Sequence, residues 1–339
     1  MTDTLTLPEI ELAAYLEKHI DGFRGPLTAK KFKGGQSNPT YLLEAASGRY
    51  VLRRKPPGKL LASAHAVDRE FRVIRALHGT NVPVAMPLHL CTDDSVIGSM
   101  FYVMEFMPGP IHWDPSLPDL TPQQRGAHYD AIVATLISMA KVDVAAIGLG
   151  DFGKPGNYFA RQVARWTEQY RAAETETLAA METLIAWLPT RVPNDESRIA
   201  LVHGDFRIDN LIWHENEPRI AAIVDWELST LGHPFADIAY FCMALRLPRN
   251  AILPGLAGLD RAALGISSED EIIERFATGT GVDPRPHWKF LLAFQFFRLA
   301  AIAQGVLKRA MQGNASSERA LQAGAMAKTI AELGASLAQ

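Results

Sequence analysis

The segment Leu201-Val202-His203-Gly204-Asp205-Phe206-Arg207-Ile208-Asp209-Asn210 and the later Ile223-Val224-Asp225-Trp226-Glu227 hold the side chains best suited to chemistry. Asp205 comes at the end of one short apolar run, Asn210 five residues later and Asp225 at the end of another, which places the three at the mouths of neighbouring strands. Singly, an Asp in such a place is an ordinary strand cap. Together they are what phosphoryl transfer from a nucleotide needs. One carboxylate accepts or orients the proton of an attacking hydroxyl, while an Asn and a second Asp hold magnesium against the phosphates.

The spacing parallels the protein-kinase signature H-R-D-x-x-x-x-N followed by D-F-G, with Gly204 in place of the Arg and Asp225-Trp226-Glu227 in place of the later triplet. In this form it resembles the aminoglycoside phosphotransferase and choline kinase group of small-molecule kinases. The stretches Tyr50 to Gly58, Ser63 to Glu70 and Asp225 to His233 are similar, more narrowly, to the kinase-type domain fused to acyl-CoA dehydrogenases in eukaryotes. The resemblance implies an α+β, two-lobed protein kinase-like fold: an N-terminal antiparallel sheet lobe over 1–107 and a mainly helical C-terminal lobe over 108–339. It implies ATP and Mg2+ as cofactors, with Asp205 as the catalytic residue and Asn210 and Asp225 as metal ligands. His203, Glu227 and Asp237 are supporting residues, Asp237 bracing the catalytic loop.

Elements that would position these groups can be read in order. Thr6-Leu7-Pro8-Glu9 predicts a capping box, and Ile10, Leu12, Ala13 and Leu16 a helical stripe ending near Asp21-Gly22. The period then changes to two, predicting strands at Lys30 to Lys33, Tyr41 to Ala45 and Tyr50 to Arg54. Between the first two lies Gly34-Gly35-Gln36-Ser37-Asn38, a loop able to cover phosphates with backbone amides, although a hairpin turn uses the same residues. By the resemblance, Arg53 stands where kinases carry a phosphate-binding Lys, and Glu70, on a helix from Ser63 to Leu77, is its partner. A solvated strand end and a surface Glu are the plainer readings of the two. A strand from Met100 to Phe106 runs into Met107-Pro108-Gly109-Pro110, the expected hinge. Met104 would border adenine there, with the Glu105 carbonyl and Met107 amide contacting the base.

The rest is predicted to be helical. Thr121-Pro122-Gln123-Gln124 opens a helix with Ile132, Val133, Leu136, Ile137 and Ala140 on its buried face. A hairpin follows Asn210, and further helices run from Ser267, from Pro286 to Met311 and from Ser317 to Leu337. Phe290 to Leu307, interrupted by Gln295, Arg298 and Gln304, reads as a buried helix and not a membrane span.

With 339 residues, 48% of them hydrophobic, the chain has ample material for two lobes. A net charge of -3 makes no electrostatic case for nucleic acid or an anionic membrane. Two cysteines, Cys91 and Cys242, exclude a disulfide framework, and no secretory signal is read at the start, so a cytoplasmic location is expected.

For the acceptor, the segment after Asp237 offers Met243, Leu245, Arg246, Leu247, Arg249, Ile252 and Leu253. Aminoglycosides are polycations and call for a carboxylate-lined pocket. An apolar or anionic small-molecule hydroxyl compound, such as a hydroxy acid or hydroxyacyl-CoA, therefore fits better, and the resemblance adds a link to acyl-CoA metabolism. Exposed arginines are the plainer account of the two cations. An aminoglycoside or amino-alcohol kinase, a protein kinase and a non-catalytic nucleotide-binding regulator stay open as alternatives.

Overall fold

A computed structural model describes residues 6–32, 38–56, 66–193, 198–250, 254–312 and 318–338. The chain forms two compact units, one of Met1–Pro110 with Leu211–Ser229, the other of Ile111–Asn210 with Thr230–Gln339. The sequence had assigned everything after 107 to the second lobe; the segment Leu211–Ser229 instead packs with the first unit.

The first unit begins with helix α1 (Glu9–His19), followed by strands β1 (Leu27–Lys31), β2 (Thr40–Ala45) and β3 (Gly48–Arg54), helix α2 (Val67–Leu77), and strands β4 (Pro87–Cys91) and β5 (Phe101–Glu105). The five strands form one antiparallel sheet in the order β1-β2-β3-β5-β4. Leu12 and Leu16 of α1 meet Leu43, Leu52, Phe101 and Val103 of the sheet in its core. Ile10, expected in the stripe, is 83% exposed. The expected capping box is also absent: Pro8 is the N-cap without a side-chain bond, and Glu9 Oε1 instead accepts the Ala29 N–H of β1 at 2.7 Å. A tertiary partner has outcompeted the local cap.

On α2, Val67, Phe71, Ile74 and Leu77 are buried, as their spacing predicts, and Glu70 is buried with them at 1% exposure. The hairpin after Asn210 is formed by β7 (Leu211–Trp213) and β8 (Ile220–Ile223). It is tied to the segment that follows β5 by the Trp213 N–H, which donates to the Pro110 carbonyl at 3.0 Å. Gly109, at φ 143°, lies so close that a Cβ would stand 1.8 Å from the Trp213 carbonyl oxygen. Only glycine fits there.

In the second unit, α3 (Pro122–Ala140) carries the predicted capping box from Thr121 to Gln124. Helices α4 (Tyr158–Ala173) and α5 (Ala179–Trp187) precede the short strand β6 (Ala200–Val202), which pairs with β9 (Thr230–Gly232). Then come α6 (Phe235–Arg246), α7 (Arg261–Leu264), α8 (Glu269–Thr280), α9 (Trp288–Met311), α10 (Glu318–Ala325) and α11 (Ala327–Ala335). The single helix expected from Ser317 to Leu337 is thus two.

Helix α9 is the axis of this unit. Within Arg285–Met311 an 18-residue window has a mean hydropathy of 1.7, apolar enough by composition to cross a membrane, yet 78% of that window is buried against protein. Its interrupting polar residues are bonded inside: Gln295 Nε2 donates to the Ala236 carbonyl at 2.9 Å, and Gln304 Nε2 to Thr175 Oγ1 at 2.7 Å. Buried polar groups need such partners.

Candidate active site

In the second unit, β6 is a wholly buried apolar strand that delivers His203 at its end. Gly204 follows at φ 84°, a left-handed conformation. The turn lets two successive amides point at one carboxylate: His203 N–H donates to Asp237 Oδ2 at 2.7 Å and Gly204 N–H to Asp237 Oδ1 at 2.9 Å. The Asp205 N–H donates to His203 Nδ1 at 3.2 Å. Asn210 Nδ2 closes the loop on Asp205, donating to its carbonyl at 2.9 Å and to Oδ2 at 3.1 Å.

Two partners of this loop were not foreseen. Tyr240 O–H on α6 donates to Asp205 Oδ1 at 2.7 Å. Arg298 on α9 donates to the Gly204 carbonyl, and its guanidinium lies 5.1 Å over the Tyr240 ring. Burial pushes the Asp237 carboxyl up, against the pull of His203 and the two amides. For Asp205 burial also pushes up, but Arg207, the Tyr240 hydroxyl, His203 and Arg298 outweigh it and hold the carboxyl below its ordinary range. Asp205 is therefore ionised at neutral pH.

In the first unit, Arg53 lies on β3 between Thr40 of β2 and Tyr102 of β5. Its Nε is 2.8 Å from Glu70 Oε2, and its Nη2 donates to Asp225 Oδ1 at 2.6 Å and to Glu227 Oε2 at 3.4 Å. Glu70 also accepts from Tyr102 O–H at 3.0 Å and Asn38 Nδ2 at 3.1 Å. Burial is the chief cause that lifts the Glu70 carboxyl to about 7; Arg53 pulls it down, and Asp225 and Glu227 add to the rise. Burial draws Arg53 down, but the surrounding acids hold it above its ordinary value. Its neighbours behave differently: Arg54 is buried on Ser99 Oγ at 2.9 Å, and Lys55 Nζ stands 4.0 Å from Asp68.

Asp225 is a non-glycine residue at φ 65°, ψ 58°. Such backbone costs energy and is retained where the surroundings over-determine it. It puts the Asp225 carboxylate beside Glu70 and Glu227, with ligand oxygens of all three within 4.8 Å of one another. Hard anionic oxygens at this density suit a magnesium ion, with Arg53 the cation among them.

The sequence-predicted residues thus fall into two groups, each assembled within its own unit: Asn38, Arg53, Glu70, Asp225 and Glu227 in the first, and His203, Asp205, Asn210 and Asp237 in the second. Gly34, Gly35, Gln36 and Ser37 lie outside the described residues. Met104 is half-buried on β5 opposite Val51, and the Glu105 N–H donates to the Met86 carbonyl at 2.9 Å.

A cavity of about 310 Å³ lies in the second unit beside the Asp205 loop, walled by Phe206, Tyr240, Phe241, Met243, Leu247 and Leu299, with the exposed Trp113 also on it. This is within the size range of small-molecule sites. Its charged lining is Arg207 and Asp209, which are bonded to each other at 2.8 Å. The cations expected there are engaged elsewhere. Arg246 is held by Glu269 at 2.6 Å and Arg249 by Asp114 at 2.8 Å, while Ile252 and Leu253 lie outside the described residues.

Residues 28–266 match the phosphotransferase enzyme family. Mouse acyl-CoA dehydrogenase family member 10 is 48% identical over 332 residues, 97% of this chain and 31% of that protein. Human acyl-CoA dehydrogenase family member 11 is 40% identical over 333 residues, again 97% of this chain and 43% of that one. The chain therefore spans less than half the length of these relatives. Among solved structures, a Ralstonia eutropha JMP134 chain described as a candidate aminoglycoside phosphotransferase superposes with a TM-score of 0.91 at 47% identity, covering 98% of both chains. The fold, though at 13% identity nothing more, is shared with aminoglycoside phosphotransferase APH(4)-Ia, solved with AMP-PNP and hygromycin B, at a TM-score of 0.64 over 96% of this chain and 98% of that one.

Proposed function

The chain belongs to the phosphotransferase enzyme family, and on that premise we propose that it moves the γ-phosphate of ATP to a hydroxyl of an apolar or anionic small molecule, a hydroxy acid or hydroxyacyl-CoA. The cavity carries this reading. Among the described residues its walls are mainly aromatic and aliphatic, their one acid, Asp209, is neutralised by Arg207, and Tyr240 joins the cavity directly to Asp205. Among those described residues a polycation would find no uncompensated carboxylate, whereas an acyl chain would bury apolar surface. Kinship with acyl-CoA dehydrogenase family proteins supports the same choice of acceptor.

In this reading Asp205, already ionised, orients the acceptor hydroxyl, and its loop is held by Asp237 and His203. Arg53, kept protonated and backed by Glu70, takes the α- and β-phosphate oxygens, for which a guanidinium offers two parallel donors. Asn210 and Asp225 would hold magnesium, with Glu227 in support. When bound, the ion neutralises charge on the phosphate oxygens. Gly34, Gly35, Gln36, Ser37 and Asn38 form the phosphate-covering loop, and Met104, Glu105 and Met107 the adenine contacts.

The test is a γ-phosphate transfer screen with Mg-ATP across hydroxy acids, their CoA esters, amino alcohols and aminoglycosides. The highest kcat/KM is expected on a hydroxyacyl compound. Kanamycin phosphorylated faster than any acyl compound would overturn the acceptor class, and nucleotide binding with no transfer across the panel would overturn the enzyme reading.

A further inference from the structure

Helix α6 meets the catalytic loop at two points three residues apart, and so on one face. Asp237 takes the backbone amides of His203 and Gly204, and Tyr240 takes the side chain of Asp205 at 2.7 Å. We propose that Tyr240 is a positioning residue: its hydroxyl fixes the Asp205 carboxylate in the rotamer that receives the acceptor hydroxyl. The proposal rests on the reading above, in which Asp205 orients the acceptor.

A strand-end aspartate is otherwise free to turn about two torsions. Its remaining partners hold it less firmly. Arg207 Nε stands 3.5 Å from Oδ1 on a side chain that is 43% exposed and committed to Asp209. The Asn210 amide reaches Oδ2 at 3.1 Å, but Asn210 is also assigned to the metal. Tyr240 spends its one hydroxyl proton on Asp205. Its ring is buried on α6, and Arg298 caps its face at 5.1 Å while donating to the Gly204 carbonyl, so ring and loop share one brace. A tyrosine has few torsions to lose, so its hydroxyl is a well-fixed donor. Because Tyr240 also walls the 310 Å³ cavity, it holds Asp205 where that cavity meets the carboxylate.

A purely structural tyrosine would affect stability alone, and an acceptor-binding one would affect KM. Tyr240→Phe removes the hydroxyl and keeps the ring under Arg298, so the fold is retained. The expected result is a kcat lowered roughly 10- to 100-fold, the worth of a hydrogen bond to a charged group, with KM for ATP and acceptor within about twofold. Crystals of the variant should show the Asp205 carboxylate in more than one rotamer. An unchanged kcat, or an acceptor KM that rises at constant kcat, overturns the proposal. A wild-type chain inactive across the acceptor panel overturns the enzyme reading but leaves the hold of Tyr240 on the Asp205 carboxylate to be tested. The crystal then decides by itself: several Asp205 rotamers support positioning by Tyr240, and one unmoved carboxylate overturns it.

Discussion

Arg53 and Asp225, 172 residues apart in sequence, are joined by a 2.6 Å hydrogen bond from Nη2 to Oδ1. Glu70 completes the arrangement from the other side of the guanidinium, 2.8 Å from Nε and 1% exposed. Removing one member of a buried pair leaves its partner desolvated and uncompensated. Glu70→Ala would take from Arg53 its most deeply buried counter-charge, with only Asp225 and Glu227 still facing it, and would remove the carboxylate that accepts from Tyr102 O–H and Asn38 Nδ2. Urea denaturation should register a loss of about 3 kcal/mol or more, and Glu70→Gln, which keeps the shape and an acceptor oxygen, should lose less. The solvent-exposed Lys30–Glu44 pair, 2.7 Å long, is the control: Glu44→Ala should leave the midpoint in place. Equal effects of Glu70→Ala and Glu44→Ala would remove the case for a buried anchor.

Asp205 and Asp225 have different tasks in the proposed reaction, and their losses should differ in kind. Asp205→Ala should reduce kcat roughly 10²–10⁴-fold, the range for a positioned base, with little change in KM for ATP. Asp225→Ala should cost at least as much, since it takes away a carboxylate for the metal and with it electrostatic stabilisation of the transferring group. It should also raise the magnesium concentration needed for half-maximal rate. Steady-state rates over a magnesium titration separate the two, and an Asp205→Ala variant at wild-type speed would refute the assignment.

Acidification should weaken the first unit through His89. Its ring is partly buried on β4, 2.9 Å from the Tyr15 hydroxyl and 5.0 Å from the His19 ring centroid. Burial, with a smaller contribution from His19, pulls its pKa below the ordinary value. The unfolded chain thus binds this proton more readily than the folded one, so stability rises with pH. The contribution is complete above roughly pH 7 and is lost as pH falls through about 6.5 toward the lower folded pKa. Thermal melts at neutral and mildly acidic pH should show a shallower acid decline in His89→Gln than in the wild type. Identical slopes would place the acid sensitivity elsewhere.

Legibility in the sequence followed the range of the interaction. Helical spacing on α2 put Glu70 beside a buried stripe, and the register of β3 brought Arg53 to it. The His203–Asn210 loop announced itself because its polar residues sit within one short segment and α6 supplies Asp237 close behind. Tyr240 and Arg298 were invisible for opposite reasons. Every residue of α6 from Phe235 to Met243 is buried, so no period singles out Tyr240 from its aromatic neighbours. Arg298 stood out as an interruption of an apolar run, but its partner, Gly204, is 94 residues away. Glu9 misled because a local cap and a tertiary bond compete for one carboxylate, and only the folded sheet decides between them.

Gly204 explains why this chain departs from the His-Arg-Asp wording of protein kinases at that position. At φ 84° the backbone turns so that the amides of His203 and Gly204 both reach Asp237, while the Gly204 carbonyl is taken by Arg298. A side chain at this φ costs about 1–2 kcal/mol, and relief by rotating the peptide would break one of those three bonds. Either route moves Asp205, the next residue, from the geometry that Tyr240 and Asn210 maintain. Gly204→Ala should therefore melt only a few degrees lower, keep its affinity for ATP, and lose more than about tenfold in kcat, because small misplacements of a reacting group are costly. Calorimetry, nucleotide titration and turnover on one preparation give all three readings. A Gly204→Ala variant that melts early yet turns over at the wild-type rate would show that the loop tolerates the rotation and that its left-handed turn is not what places Asp205.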